Sequence, residues 1–244
     1  GFLRPGSIVP ILFEDTLGAD PVKIGTVTGD GRRVYYASTE GARVTVNSSV
    51  FDTRGGSDTG DELRSGFTPL AMAATSDFES GLVAMYGTHK EGGKSEPAVA
   101  LVGLGDGKVV GRGTVRGPVV GRPLSIGFSP DDRWLVACNG EDVMYWKVPG
   151  SQVVTGDPKV LANSPAAVAA AGPDGRIAFA SPPEEGKKVR VTIADVSGSQ
   201  PKVVAVYTTD IDKVSALAFS PDGTMLAVAD DVEGVVQLWG IGKK

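Results

Sequence analysis

The stretch that decides the fold occurs twice, as Pro123-Leu-Ser-Ile-Gly-Phe-Ser-Pro-Asp-Asp-Arg-Trp-Leu-Val-Ala-Cys138 and as Val214-Ser-Ala-Leu-Ala-Phe-Ser-Pro-Asp-Gly-Thr-Met-Leu-Ala-Val-Ala229. The two segments align without a gap, 91 positions apart. A further apolar run follows each of them and ends in Trp146 or Trp239. Such self-similarity indicates a repeat protein, and a repeat fixes the fold class before any single motif does.

Three further copies set the repeat length. Ala166 to Ala180 repeats the pattern midway, and Val22 to Ser38 and Pro69 to Tyr86 are weaker copies. The aspartates that mark the turns are Asp30, Asp77, Asp131, Asp174 and Asp222. Their successive spacings are 47, 54, 43 and 48 residues, so the chain holds five units of nearly equal length.

Each unit has the sequence pattern of four short strands. Pro presets the first φ of a type I turn in Ser-Pro-Asp-Gly, Asp bonds back to the backbone, and Gly accepts the exit geometry, so a hairpin is expected. A third and a fourth apolar run complete the unit. One helical turn over Ala166 to Ala171 is the competing interpretation, because that run has the best helix propensity of the chain.

Four strands in a period of ~40 to 50 residues are typical of a β-propeller blade. The sequence therefore predicts an all-β fold, a single β-propeller domain over residues 1–244 with about five four-stranded blades. The predicted blades cover 18–62, 63–117, 118–162, 163–209 and 210–241. Since few residues follow Trp239, we expect the apolar run Ile8 to Phe13, within residues 7–14, to complete the last blade. The alternative is that the chain is part of a larger propeller.

The repeats resemble the blades of bacterial WD-repeat proteins, and their Ser-Pro-Asp-Gly turns resemble those of the periplasmic TolB-like propellers. The chain departs from the eukaryotic WD pattern, because Trp146-Lys147, Trp239-Gly240 and Ala194-Asp195 stand where Trp-Asp is usual. The resemblance implies a protein-interaction scaffold, with a TolB-like periplasmic module as an alternative.

The composition excludes several other classes of protein. The chain has 24 Lys+Arg against 29 Asp+Glu, one Cys and one His, which argues against nucleic acid as a partner and against disulfide frameworks or Cys- and His-based metal sites. No apolar run approaches the ~20 residues of a transmembrane helix, so no membrane insertion is expected. No cofactor is predicted. A cytoplasmic location is slightly favoured over a periplasmic or secreted one.

Catalytic groups are missing from the positions where a propeller enzyme needs them. The five predicted innermost strands contain no acidic residue, whereas glycosidases place a pair of carboxylates about the scissile bond. His89 lies in a predicted loop and Cys138 in an apolar strand, where a buried, inert thiol is the usual state. A non-enzymatic protein is expected, with a hydrolase or a small-ligand or metal-binding protein as the alternative.

Charged loops suggest the binding face. The loops between the second and third strands of each unit should all emerge on one face, and they are rich in charge. The candidate residues for a protein or peptide partner are Glu141, Asp142, Glu184, Glu185, Asp230, Asp231 and Glu233. The alternative is that these hairpin tips are charged only for solubility. Asp58, Asp61 and Glu62 form a weaker candidate for a calcium site.

Overall fold

The computed structural model describes residues 22–27, 33–40, 43–50, 59–63, 67–76, 82–105, 108–115, 124–148, 158–161, 165–182, 187–230 and 232–242, with the strand backbone alone over most of 22–63 and 108–115. These residues form five antiparallel sheets, each a simple meander in chain order. The predicted all-β class and the four-stranded sheets are confirmed. The expected closing strand, residues 7–14, lies outside the described residues.

The first two sheets, or blades, have four strands each. Blade 1 consists of β1 (Val22–Val27), β2 (Arg33–Glu40), β3 (Arg43–Val50) and β4 (Thr59–Leu63). Blade 2 consists of β5 (Phe67–Ala74), β6 (Leu82–Glu91), β7 (Lys94–Gly105) and β8 (Lys108–Val115).

The remaining three blades carry the clearer repeats. Blade 3 consists of β9 (Ser125–Phe128), β10 (Trp134–Cys138), β11 (Val143–Lys147) and β12 (Lys159–Leu161). Blade 4 consists of β13 (Val168–Ala171), β14 (Arg176–Ala180), β15 (Arg190–Asp195) and β16 (Lys202–Thr208). Blade 5 has three strands among the described residues, β17 (Ala216–Phe219), β18 (Met225–Asp230) and β19 (Val235–Gly240).

The first strand of each blade lies innermost. β1, β5, β9, β13 and β17 contact one another in chain order, which is the radial arrangement of a propeller. The helical turn considered over Ala166 to Ala171 is wrong, because Val168–Ala171 pairs with β14 as a strand. The helical geometry falls instead on the turn Pro173–Gly175, a short 3₁₀ segment.

Apolar side chains cover both faces of the central blades. On one face of blade 3, Leu135, Met144 and Trp146 pack against blade 2. On the other face, Val136 and Tyr145 pack against blade 4. Blade 3 is therefore stable only between two neighbours, since a sheet apolar on both faces must bury both.

One face of blade 5 lies open. Ala227 pairs with Leu238 and Ala229 with Val236, and these residues occupy the repeat positions that blade 4 buries against blade 5. Val236 is 62% and Leu238 66% exposed. In the residues described, nothing covers this face.

The serine of the repeated turn organises the hairpins of blades 3 and 5. The Ser129 Oγ, which is buried, accepts from the Trp134 N–H at 3.0 Å and donates to Asp131 Oδ1 at 2.5 Å. Ser220 makes the same pair of bonds with Met225 and Asp222. The predicted turn is confirmed, with the backbone N–H of the fourth residue donating to the serine carbonyl in both copies.

The Tyr86 side chain packs between blades 2 and 3. The Tyr86 hydroxyl is buried without a hydrogen-bond partner. Burial raises the pKa of the Tyr86 phenol, and the negative charges of Cys138 and Asp142 raise it further. Burial also raises the pKa of the Cys138 thiol, against the hydrogen bonds from Ser125.

Replacing Ser129 should test the turn. Ser129→Ala leaves the buried Trp134 N–H without its side-chain acceptor, so the free energy of unfolding should fall by about 1–2 kcal/mol. The measurement is urea unfolding followed by fluorescence. Ser199→Ala, in an exposed turn, is the matched control and should change little. Equal effects of the two variants would contradict the assigned role.

Tyr86→Phe should test the buried hydroxyl. At about pH 7 the variant should be as stable as the parent or more so, because an unsatisfied hydroxyl is removed. Above about pH 9 the parent should lose stability, because the unfolded chain releases the Tyr86 and Cys138 protons at their ordinary pKa values while the folded protein retains them.

Between about pH 7 and pH 10, the free energy of unfolding should fall less for Tyr86→Phe than for the parent. The measurement is urea unfolding at both pH values. Tyr207→Phe, which removes a hydroxyl from a partly exposed ring, is the control and should leave the parent's alkaline loss unchanged. If Tyr86→Phe retains the full alkaline loss, the raised pKa of the phenol is not its cause.

Candidate functional site

The charged loops project from one end of the sheets, here called the upper face. The described parts of this face comprise the turn Gly92-Gly93, the loop Asn139–Asp142, Lys187-Lys188, the connection 210–213 and residues 232–234. Loops between second and third strands share this end with the connections that lead to the next blade, because the strands alternate in direction. The predicted common face is therefore present.

The loop of blade 3 is held by its first side chain. Asn139 is 5% exposed, and its Oδ1 accepts from the N–H groups of Glu141 and Asp142 at 2.9 and 2.7 Å. The Gly140 N–H donates to the Ala166 carbonyl at 3.1 Å, which links the loop to blade 4. Glu141 is exposed and Asp142 half-buried, so this loop presents Glu141 on a rigid support.

Asp230 has a different place from the one predicted. It is 4% exposed, and its Oδ1 accepts from the Val232 N–H at 2.6 Å. A carboxylate used in this way shapes the turn, as Asx turns do, and is withdrawn from the surface. The loop presents Glu233 instead, which is exposed next to Val232.

Blades 4 and 5 meet in a cluster of charges that the sequence did not reveal. Lys188 Nζ lies 2.9 Å from Asp212 Oδ1 and donates to the Asp210 carbonyl at 3.2 Å. The hydrogen bond to Asp212 raises the pKa of Lys188, with further contributions from the charges of Asp212, Asp210 and Glu233. All four side chains are solvent-exposed, so the cluster orients the loops but contributes little stability.

Other predicted site residues lie beyond the side-chain description. Glu184, Glu185, Asp231 and Asp58 are outside the described residues. Asp61 and Glu62 lie in β4, described by its backbone. Within the described part of the chain, no three acidic, His or Cys side chains are grouped as they would be around a metal ion.

The predicted loop around His89 is a hairpin in the structure. Strands β6 and β7 have 10 and 12 residues, twice the length of β10 and β11, and they continue to the pair Glu91 and Lys94. Gly92 and Gly93 have φ values of 59° and 86°, the left-handed region that a two-residue hairpin turn requires. The sequence signal for this tight turn is the pair of glycines between Glu91 and Lys94, which fits a two-residue hairpin better than the longer loop expected from the sequence.

The groups considered for catalysis lie apart. His89 is half-buried in β6 opposite Glu96, and Cys138 is fully buried in β10. The innermost strands contain no acidic residue over their observed ranges. In the ranges that the structure describes, no helix is long and apolar enough to cross a membrane.

Comparison with protein-family models matches residues 201–240 to the WD40 family, "WD domain, G-beta repeat". This segment contains β16 to β19, where the repeat is clearest. No curated protein matches the chain by sequence.

Solved structures share the fold at low identity. TolB from Acinetobacter baumannii is 18% identical with a TM-score of 0.52, covering 91% of this chain and 52% of its own. A protein of unknown function from Desulfotomaculum acetoxidans is 13% identical with a TM-score of 0.60, covering 93% and 72%. A structure described as the eukaryotic initiation factor is 13% identical, with a TM-score of 0.51 and coverage of 90% and 52%.

The chain spans about half the length of the TolB and initiation-factor structures. At these identities the likeness establishes the fold, while the WD40 match adds one repeat at the sequence level. The chain therefore has the β-propeller fold of these structures, and its residues 201–240 match the WD repeat.

Proposed function

We propose that the chain is a non-enzymatic scaffold that binds a partner protein through its upper face. The observation that carries this proposal is the arrangement of exposed charges on supported loops. Glu141 lies on a loop fixed by Asn139, and Glu233 lies on a loop fixed by Asp230. Charged side chains on a rigid framework bind a partner at a lower cost in conformational entropy than mobile ones.

The charges of this face indicate the kind of partner. Glu141, Asp210, Asp212 and Glu233 are exposed on it, and so are Lys187, Lys188 and Lys213, so both signs are present. A partner with basic groups opposite Glu141 and Glu233 is complementary, and exposed charges of this kind act mainly on the association rate and on specificity. Glu184, Glu185 and Asp231 belong to the same proposed surface, together with Asp142.

The absence of enzymatic activity is part of the proposal. Glycoside hydrolysis requires two carboxylates aimed at one bond, and nucleophilic catalysis requires a nucleophile beside a base. Among the described residues, the innermost strands lack acids and His89 and Cys138 lie in different blades. These placements favour binding over catalysis.

Charge neutralisation should test the proposed face. Glu141→Gln and Glu233→Gln, singly and together, should reduce the amount of a partner retained from a cell extract, by about three- to tenfold for the pair. Retention should also weaken as salt is raised, since exposed charges are screened. The measurement is affinity capture with quantitative mass spectrometry.

Asp174→Asn is the matched control, because it removes one negative charge from the opposite end of the sheets. Asn tolerates the φ of 61° at this position, so the variant should fold normally and retain the partner. Equal retention by parent and upper-face variants, or no protein retained by either, would refute the proposed surface.

A further inference from the structure

Arg176 breaks the repeat at a buried position. Trp134, Arg176 and Met225 each begin the second strand of a blade and precede the equivalent residues Leu135, Ile177 and Leu226. Trp134 packs against Gly175 of the next blade, and Arg176 packs in the same way against Gly223. Arg176 is 6% exposed, so a cation occupies a buried place that blades 3 and 5 give to the apolar side chains of Trp134 and Met225, whereas blade 1 has Arg33 at this position of the sequence.

The guanidinium of Arg176 is only partly satisfied. Its Nη2 donates to the Gly223 carbonyl at 2.8 Å and its Nη1 to the Gly242 carbonyl at 3.1 Å. The group also lies over the Phe219 ring, 5.9 Å from its centroid. The Nε is buried without an acceptor. A guanidinium has five N–H donors, and these two bonds account for two of them.

No carboxylate of the described residues neutralises this cation within 4.0 Å. Asp195 is its cross-strand neighbour, but the Asp195 Oδ1 accepts from the N–H and the hydroxyl of Ser197 at 2.9 and 2.7 Å. Asp195 is engaged in this turn and forms no ion pair with Arg176 within 4.0 Å. A buried charge without a counter-ion is costly, and a carboxylate is the group that matches a guanidinium best.

A cavity adjoins Arg176 at the outer rim between blades 4 and 5. Its volume is about 290 Å³. The lining is formed by Arg176, Ile193, Asp195, Val204, Ala205, Tyr207 and Ile241. This size lies just below the ~300–1,000 Å³ typical of small-molecule sites. The lining is apolar apart from Arg176 and Asp195, and because the Asp195 Oδ1 is engaged by Ser197, the guanidinium is the group that would meet a carboxylate on an apolar body.

We propose that the Arg176 cavity is a binding site for a carboxylate attached to an apolar body. The carboxylate pairs with the guanidinium, and the body lies against Ile193, Val204 and Tyr207. The group can belong to a small organic acid or to an acidic side chain of a peptide. The site is at the opposite end of the sheets from the upper face and does not depend on the function proposed for that face.

Two probe pairs test the site in the full chain. One pair is 3-phenylpropionate and its amide, and the other is acetyl-Val-Glu-Val-amide and its Gln analogue. Binding is followed by the fluorescence of Trp239, whose ring lies 5.4 Å from that of Tyr207 in the cavity wall. At least one acid should bind about tenfold more tightly than its uncharged analogue. Binding of the small acid identifies a metabolite-like ligand, and binding of the peptide alone identifies an acidic side chain.

Two variants control for folding. Arg176→Met, which copies Met225, should abolish the preference for the acid. Ala205→Phe fills the cavity from a half-buried position without changing Arg176, and it should weaken binding of the acid about tenfold or more. Glu141→Gln should bind the acid like the parent. Equal binding of acid and amide, no binding of any probe, or normal binding by Ala205→Phe would overturn the proposal.

Discussion

The structure depends on the packing of one blade face against the next. Blade 3 buries Leu135 and Met144 against blade 2 and buries Val136 and Tyr145 against blade 4. Because alternate residues of a strand point to opposite faces, a run of consecutive apolar residues makes both faces apolar. A single blade of this kind cannot remain folded in water, so the repeat is stable only as a series.

The packing between blades restricts the strands but not the loops. The strand residues of the central blades have little freedom to vary, since they meet a neighbouring blade on both faces, whereas the loops meet solvent. The Ser129 and Ser220 turns at the lower end repeat almost bond for bond. The upper loops differ in length, charge and support, from the two-residue turn at Gly92 to the Asn139 loop. Variation of this kind on a repeated framework suits recognition.

The exceptions to the repeat carry the most information about function. Arg176 stands where its neighbours in the series have Trp134 and Met225, and it keeps the packing contact but adds an unsatisfied cation. Local rules that are broken without compensation are expected at functional sites. Arg176 is therefore a functional candidate because it differs from the equivalent residues of the adjacent blades, although it belongs to no recognised motif.

The sequence determined the number of blades, the class of fold and the turn chemistry, because apolar periodicity and Ser-Pro-Asp-Gly act over a few residues. It also placed the charged loops on one face, since strand alternation follows from the repeat. Only the tertiary structure decided which charges face solvent: Asp230 is buried in its own turn, while Lys188 and Asp212 meet across two blades. The isolation of Arg176 likewise depends on the Gly223 and Gly242 carbonyls and the Ser197 turn. Burial and long-range pairing are properties of the packed blades, and no local pattern specifies them.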